Sequence, residues 1–319
     1  METSTPSPWL LAILSRDHKT YSTLLTPLLP EGVSLRWCSD QPADIDTSEV
    51  HLILGEPDLL VQVVDDCHSL AWAQSTWAGN APLLNATKRD YQLTGVKGIF
   101  GQQMREYVFA YLLYFARNPE GFKQSHLRPE GKWQAPQFSA LAGQTLGIAG
   151  AGHIASAVAA AAQAFDMQVI GLNRSGKAQD GYESVFTSSQ KLDFASRCDY
   201  LVCLLPDTND TRHFIDAPFL AAMPTHSVLV NAGRGVVIDD DALIAALTQM
   251  QIRAAVLDVF VEEPLPDSHP YWGLSNAYIT QHTAAISKAS DVAMIFTDNL
   301  QRFLQGSALN YRLDFNKGY

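Results

Sequence analysis

Three polar side chains follow three successive apolar segments that are typical of buried strands. The segments cover residues 227–231, 254–260 and 278–280, and the side chains are Arg234, Glu263 and His282. In an open α/β sheet, ligands bind beyond the carboxyl ends of the strands, so these side chains are candidates for one ligand site. An arginine can hold a carboxylate and polarise a carbonyl, a histidine can deliver a proton near neutral pH, and a carboxylate can orient that histidine.

Each of these residues also has an ordinary structural interpretation. Arg234 can be a cation that caps a helix, Glu263 a surface residue before a proline, and His282 a core histidine with satisfied hydrogen bonds. From residue type alone, the catalytic and the structural interpretations both remain open.

A glycine-rich turn begins the part of the chain that must position these residues. Residues 147–155 read Gly-Ile-Ala-Gly-Ala-Gly-His-Ile-Ala, after an extended lead-in and before an alanine-rich helix predicted over residues 156–165. A dinucleotide-binding turn requires this order of strand, glycine turn and helix. In such a turn, Gly150 makes the tight turn, Gly152 lets the backbone approach the pyrophosphate, and Ala155 permits close packing of the helix on the strand. The alternative is a tight turn whose glycines serve packing only.

The next predicted strand, residues 167–172, ends where a bound ribose would be recognised. An NAD site usually has an acidic residue there, but this chain reads Asn173-Arg174-Ser175-Gly176-Lys177. A guanidinium and a hydroxyl can hydrogen-bond a 2′-phosphate that a carboxylate would repel, so we predict NADPH over NADH. A solvated basic turn is the alternative. The same stretch resembles a phosphate-binding P-loop but has no hydroxyl after the lysine, and we treat that similarity as coincidence.

Length, charge and cysteine spacing indicate the number of domains and the compartment to expect. A chain of 319 residues predicts two domains, and 22 basic against 33 acidic residues give a net charge of −11, which argues against nucleic-acid or membrane binding. The four cysteines follow no metal or disulfide spacing, and we see no secretory signal and no apolar run of about 20 residues. We therefore expect a cytoplasmic protein.

Two segments before the glycine turn are candidates for ligand binding or for a domain or subunit interface. The first hundred residues are predicted to form an α/β unit, with strands at 9–14, 33–37, 50–54 and 70–75. The loop Trp77-Ala78-Gly79-Asn80 follows the fourth strand and can present backbone N–H groups to a ligand or simply end the strand. Residues 104–117 are apolar on nearly every side, so we predict a helix buried all round, at a domain junction or a subunit interface.

Taken together, several segments resemble the D-2-hydroxyacid dehydrogenase family, and most closely its NADPH-preferring glyoxylate/hydroxypyruvate reductase branch, including the ending Lys317-Gly318-Tyr319. The resemblance begins at the Trp77 loop and continues to the end of the chain. It rests on Gly150-x-Gly152, Leu205-Pro206-x-Thr208-x-x-Thr211, Asn231-x-Gly233-Arg234-Gly235, Leu257-Asp258-Val259-Phe260-x-x-Glu263-Pro264-Leu265-Pro266 and His282.

The resemblance implies an α/β architecture of two doubly wound parallel-sheet domains, with the active site in the cleft between them. A flavodoxin-like substrate domain would comprise residues 1–99 and 289–319, and a Rossmann domain that binds NADP would comprise residues 100–288. It also implies a homodimer formed through the helix at 104–117.

The resemblance implies roles for individual residues in reducing glyoxylate or hydroxypyruvate. Arg234 would hold the substrate carboxylate, His282 would donate the proton, and Glu263 would orient the imidazole and favour its charged form. The substrate would also contact Trp77, Ala78 and Gly79. No metal is implied, and NADPH, or NADH less favourably, would contact Gly150, Gly152, His153, Ile154, Asn173, Arg174, Ser175, Lys177, Leu205, Pro206, Ala232 and Asp258.

The sequence departs from the family pattern at three positions. Ala155 replaces a glycine, Trp77 replaces a glycine-like residue and can change the size of the substrate pocket, and Gln281 replaces the proline before His282, which can loosen its backbone. A D-lactate-type or broad-specificity dehydrogenase therefore remains an alternative. A dinucleotide-sensing protein such as a corepressor is a further alternative, which would not need Arg234, Glu263 and His282.

Overall fold

The computed structural model describes residues 8–316, and this part of the chain divides into two compact units. The first unit contains the residues up to Ile99 and those from Ser287 onwards, and the second unit is Phe100–Ile286. The strands are β1 Trp9–Leu14, β2 Val33–Ser39, β3 Leu52–Gly55, β4 Trp72–Ser75, β5 Gln92–Thr94, β6 Thr145–Ala149, β7 Gln168–Leu172, β8 Ser184–Phe186, β9 Tyr200–Cys203, β10 Val228–Asn231, β11 Ala254–Leu257 and β12 Ala277–Ile279.

The helices connect these strands in the alternation expected of an α/β protein. None of the described helices is both long enough and apolar enough to cross a membrane. The helices are α1 His18–Leu25, α2 Pro57–Leu60, α3 Ala81–Leu84, α4 Gly101–Arg117, α5 Pro119–His126, α6 His153–Ala164, α7 Lys191–Ser196, α8 Ala217–Ala222, α9 Asp240–Thr248 and α10 Ala289–Leu304.

The first unit is built on a five-stranded parallel sheet in the order β2-β1-β3-β4-β5. Its central strands are apolar at consecutive positions because both faces are covered, as is usual in parallel sheets. Helix α10 packs on this sheet although it lies more than 200 residues further along the chain, since the ring of Phe296 stacks on that of Trp72 at 5.0 Å. The first unit is therefore formed by two segments of the chain, one before and one after the second unit in sequence.

The second unit is built on a seven-stranded parallel sheet in the order β12-β11-β10-β9-β6-β7-β8. The chain proceeds from β6 through β7 to β8, then returns to place β9 on the other side of β6. The strand order reverses at β6, so a crevice is expected at the carboxyl end of this strand. The two parallel-sheet units confirm the predicted α/β fold class.

Within the single chain, helix α4 is buried on one face and not all round as predicted, and its burial at a subunit interface stays a prediction. Val108, Leu112 and Phe115 lie in the core of the second unit, whereas Arg105 and Glu106 are exposed. The pattern was misleading because the tyrosines of this helix, Tyr107, Tyr111 and Tyr114, count as apolar although each lies only half-buried.

Candidate active site

The glycine turn after β6 has the shape that a dinucleotide phosphate requires. Gly150 has a φ of +120°, and a β-carbon there would lie 3.0 Å from the carbonyl oxygen of Leu204, so a side chain is excluded. At Gly152 a β-carbon would meet nothing within 4 Å, which leaves open space above the start of α6. Among the described residues, the N–H groups of Ala151, Gly152 and His153 have no acceptor. These free donors at a helix N-terminus suit a pyrophosphate.

The two residues that begin α6 differ in their surroundings. The side chain of His153 is exposed beside the turn, whereas Ile154 packs against the core of the second unit. His153 can therefore face a phosphate with its side chain, and Ile154 can do so only with its backbone N–H group.

The turn after β7 exposes the side chains predicted to recognise the ribose. Asn173 Oδ1 accepts hydrogen bonds from the N–H groups of Ser175 at 3.0 Å and Gly176 at 2.7 Å, which folds the turn on itself. Arg174, Ser175 and Lys177 are consequently exposed. An Arg174 nitrogen lies 3.8 Å from a carboxylate oxygen of Asp210, and both side chains are largely exposed.

The ends of β9 and β10 are held together by a close approach of backbone. A β-carbon on Gly233 would lie 2.7 Å from the carbonyl oxygen of Leu205, so this position requires glycine. Leu205 and Ala232 are largely buried here, and the Pro206 carbonyl accepts a hydrogen bond from the Thr211 hydroxyl at 2.6 Å. These residues follow β9 and β10 at the sheet edge where a crevice is expected.

Arg234 projects from a turn that the buried Asn231 side chain organises. Asn231 accepts a hydrogen bond from the Gly233 N–H group at 3.2 Å and donates one to the Arg234 carbonyl at 3.1 Å. Arg234 is half-buried, and among the described residues its guanidinium donates only to the Gly233 carbonyl, at 2.7 Å. None of the described ion pairs involves Arg234, so its guanidinium is available to an anionic ligand. Asn231 was not predicted as a site residue, although it belongs to the motif that carries Arg234.

The arginine turn is packed directly against the turn that follows β11. A β-carbon on Gly235 would lie 2.0 Å from the carbonyl carbon of Phe260. The Phe260 N–H group donates to Glu263 Oε1 at 2.9 Å. Glycine at position 235 thereby brings the arginine turn next to the glutamate.

Glu263 and His282 form a hydrogen-bonded pair. Glu263 Oε2 lies 2.8 Å from Nδ1 of His282, and the histidine side chain is 52% exposed. An ionised carboxylate can only accept, so Nδ1 carries the hydrogen in this pair and Nε2 is left facing away from it. A histidine held in this way can exchange a proton at Nε2 with a bound ligand.

Asp258 is buried and serves the loop that carries His282. Its side chain is 2% exposed, and its carboxylate accepts from the N–H groups of Thr283 and Ala284. The sequence did not predict that Asp258 would hold the loop that carries His282. The predicted contact of Asp258 with the nicotinamide stays a prediction.

The Trp77 loop lies in the first unit and is folded by two buried polar side chains. Ser75 Oγ accepts from the Trp77 N–H group at 3.2 Å, and Asn80 donates to the carbonyl oxygens of Trp77 and Ala78. Among the described residues, the N–H groups of Ala78 and Gly79 have no acceptor. These two groups can therefore bind an anion.

Comparisons with known proteins identify the family of this chain. The family model for the NAD-binding domain of D-isomer specific 2-hydroxyacid dehydrogenases matches residues 109–284, which is more than half of the chain. The chain belongs to this family. This D-2-hydroxyacid dehydrogenase is therefore an NAD(P)-dependent oxidoreductase that acts on small hydroxy or keto acids, and the resemblance noted in the sequence is confirmed.

Solved structures extend the similarity over nearly the whole chain. A D-isomer specific 2-hydroxyacid dehydrogenase family protein from Aeromonas salmonicida is 36% identical, with a TM-score of 0.90 over 97% of this chain and 100% of that one. A family member from Xanthobacter autotrophicus in complex with NADPH is 26% identical, with a TM-score of 0.83 over 98% and 100%. An NADPH-dependent glyoxylate/hydroxypyruvate reductase from Sinorhizobium meliloti in complex with NADP is 25% identical, with a TM-score of 0.84 over 97% and 99%.

Proposed function

We propose that this dehydrogenase reduces small 2-keto acids, glyoxylate and hydroxypyruvate foremost, with NADPH. The observation that carries the proposal is the Glu263–His282 pair, at 2.8 Å, next to a turn whose Arg234 guanidinium takes part in none of the described ion pairs. His282 and Arg234 follow strands whose carboxyl ends lie at the same sheet edge as the glycine turn, which supports a shared ligand site.

The three side chains divide the work of reduction between them. Arg234 binds the substrate carboxylate and stabilises the negative charge that develops on the carbonyl oxygen. Protonated His282 donates a proton from Nε2 to that oxygen, while Glu263 holds Nδ1 and stabilises the imidazolium. The reduced nicotinamide coenzyme, when bound, supplies the hydride.

The free N–H groups of Ala78 and Gly79 support a second contact with the substrate carboxylate. The neighbouring Trp77 ring is 41% exposed. A bulky exposed ring in a substrate loop favours small acids over larger ones, which supports glyoxylate and hydroxypyruvate as the preferred substrates.

The preference for NADPH rests on the exposed Arg174, Ser175 and Lys177 and on the lack of a carboxylate within their turn. These groups would bind the 2′-phosphate. The complexes of the Xanthobacter and Sinorhizobium proteins with NADPH or NADP support the same preference.

We also propose a cytoplasmic homodimer that uses helix α4. Several half-buried or exposed apolar side chains follow one another on α4 and in the segment after it, and in a single chain they contact water. They are Tyr107, Tyr111, Tyr114, Phe122, Leu127, Trp133 and Phe138. Exposed apolar clusters of this kind are typical of subunit interfaces. The four cysteines are all unpaired, as is usual in a reducing compartment.

The deciding experiment compares initial rates on glyoxylate, hydroxypyruvate and pyruvate with NADPH and with NADH. We expect the highest kcat/KM with NADPH on the first two acids. A preference for pyruvate would instead support a D-lactate-type enzyme, and a preference for NADH would contradict the role of Arg174. Coenzyme binding without turnover of any acid would support a sensor.

A further inference from the structure

The loop that carries His282 is tied to one buried carboxylate on both sides of the histidine. Before it, the Thr280 hydroxyl donates to Asp258 Oδ1 at 2.5 Å, and after it the Thr283 N–H group donates to the same oxygen at 2.8 Å. The His282 N–H group donates to the Asp258 carbonyl at 2.8 Å. The backbone position of the histidine is therefore set by Asp258 and its donors.

Helix α4 contributes the next member of this chain of hydrogen bonds. The Tyr107 hydroxyl lies 2.9 Å from the Thr280 hydroxyl. Thr280 has a single hydroxyl hydrogen, and Asp258 receives it, so Tyr107 must be the donor to Thr280. The chain thus runs in one direction, from Tyr107 through Thr280 to Asp258.

His282 needs such support because its backbone is in a strained conformation. Its φ is +56°, a region in which residues other than glycine are uncommon and persist only when the surroundings enforce it. The preceding residue, Gln281, is exposed and makes no side-chain hydrogen bond among the described residues. The hydrogen bonds of Asp258 to the backbone at His282 and Thr283 supply this constraint on the backbone.

We propose that Tyr107 and Thr280 are positioning residues for the proton donor, acting through Asp258 to hold His282 where its imidazole meets both Glu263 and the substrate. This inference rests on the proposed function only for the identity of the substrate. The placement of the imidazole is fixed by hydrogen bonds in the free enzyme and does not depend on the proposed function.

The test compares four variants that differ by single groups. Thr280→Val removes the donor to Asp258, Thr280→Ser keeps it, Tyr107→Phe removes the outer hydroxyl, and Tyr111→Phe is the matched control because the Tyr111 hydroxyl has no hydrogen bond among the described residues. We expect kcat to fall roughly tenfold or more in Thr280→Val and about threefold in Tyr107→Phe, with KM changed less than about twofold. Thr280→Ser and Tyr111→Phe should retain the original kcat.

A second readout separates this proposal from the proposed function. In protein labelled at histidine, the imidazole NMR signals of His282, assigned with His282→Gln, should shift or broaden in Thr280→Val and Tyr107→Phe only. This result would support the positioning role even if no 2-keto acid were turned over. Unchanged His282 signals and kcat in a folded Tyr107→Phe, or a loss of kcat in Thr280→Val that Thr280→Ser does not recover, would overturn it.

Discussion

In the proposed reaction, the orientation of the His282 imidazole decides which of its two nitrogens meets the substrate. Glu263 receives the Nδ1 hydrogen of His282 and is itself held by the Phe260 N–H group, so neither partner is free to turn. Because the glutamate side chain is 36% exposed, its contact with His282 contributes little to the stability of the fold.

Replacing Glu263 by glutamine should therefore impair turnover more than binding. An amide no longer stabilises the imidazolium, and it can present a donor to Nδ1, so we expect kcat to fall by about tenfold to a hundredfold. Steady-state kinetics together with NADPH affinity, measured by fluorescence, check this. The exposed neighbour Glu262 supplies the control, and Glu262→Gln should behave as the unaltered enzyme.

Arg174 gives a second prediction at the scale of single residues. Arg174→Ala would remove the proposed charge-assisted hydrogen bond to the 2′-phosphate, of about 1.5–3 kcal/mol, so NADPH affinity should fall by about tenfold to a hundredfold while NADH affinity is unchanged. Titration calorimetry with both coenzymes measures the difference. Arg197→Ala is the control, because Arg197 is already paired with Glu183 at 3.0 Å. Equal losses for NADPH and NADH would contradict the assignment.

A buried carboxylate in the first unit makes stability depend on pH. Burial raises the pKa of Glu56 above its ordinary value of 4.5, although the Ser15 hydroxyl bonds to it. The folded chain thus holds this proton more tightly than the unfolded chain, so the stabilising contribution is full below pH 4.5 and is lost as the pH rises through the raised pKa.

We therefore expect the unaltered protein to lose stability relative to Glu56→Gln as the pH rises from 4.5 towards neutrality. Urea unfolding of both proteins at several pH values measures this difference in the free energy of unfolding. A difference that stays constant with pH would show that Glu56 titrates alike in the folded and unfolded chains.

At the scale of elements, the site depends on how closely two turns approach each other. An alanine at position 235 would place its β-carbon 2.0 Å from the backbone of Phe260, so the turn that carries Arg234 must move. We expect Gly235→Ala to lower the free energy of unfolding by about 1–3 kcal/mol and to lower kcat/KM as well. Gly273→Ala is the matched control, because a β-carbon at Gly273 would meet nothing within 4 Å. Thermal unfolding and initial rates compare the two variants.

Elements with consecutive apolar residues are the ones that the sequence predicts well. Strand β1 and helix α10 begin and end where the pattern of apolar residues indicates, because both bury large side chains. The three-residue strands β5 and β8 were missed, since each lies at an edge of its sheet and β8 is only half-buried. Such short edge strands carry too few residues for a recognisable period.

The sequence indicates candidate residues for the site but not the hydrogen bonds that connect them. Arg234 and His282 stand out because polar groups follow buried strands at the ligand-binding edge. The roles of Asn231 and Thr280 could not be read from the sequence, because a hydrogen bond between residues distant in sequence depends on the register of neighbouring strands. The left-handed backbone of His282 is equally invisible, since histidine does not require it.

At the scale of the whole molecule, the exposed apolar side chains after α4 lead to a prediction about assembly. The Trp133 side chain is fully exposed in the single chain. We expect a dimer in light scattering after gel filtration, and a dissociation constant at least about tenfold higher in Trp133→Ala, because large aromatic side chains dominate interface energies. Trp272→Ala, which removes an exposed ring elsewhere in the second unit, should leave the dimer intact. A monomeric unaltered protein would refute the homodimer.

The first unit is divided between two distant segments of the chain. This division affects the order in which the two units can fold during synthesis on the ribosome. The second unit is continuous from Phe100 to Ile286, so all of its strands are available before α10 has been synthesised. The sheet that begins at Trp9 must wait for Phe296 to cover Trp72. Domains fold as units during synthesis, and contacts between distant residues form slowly. The first unit is therefore synthesised first but completes its fold last. Until then, the apolar face of its sheet is the surface that a chaperone would bind on the nascent chain.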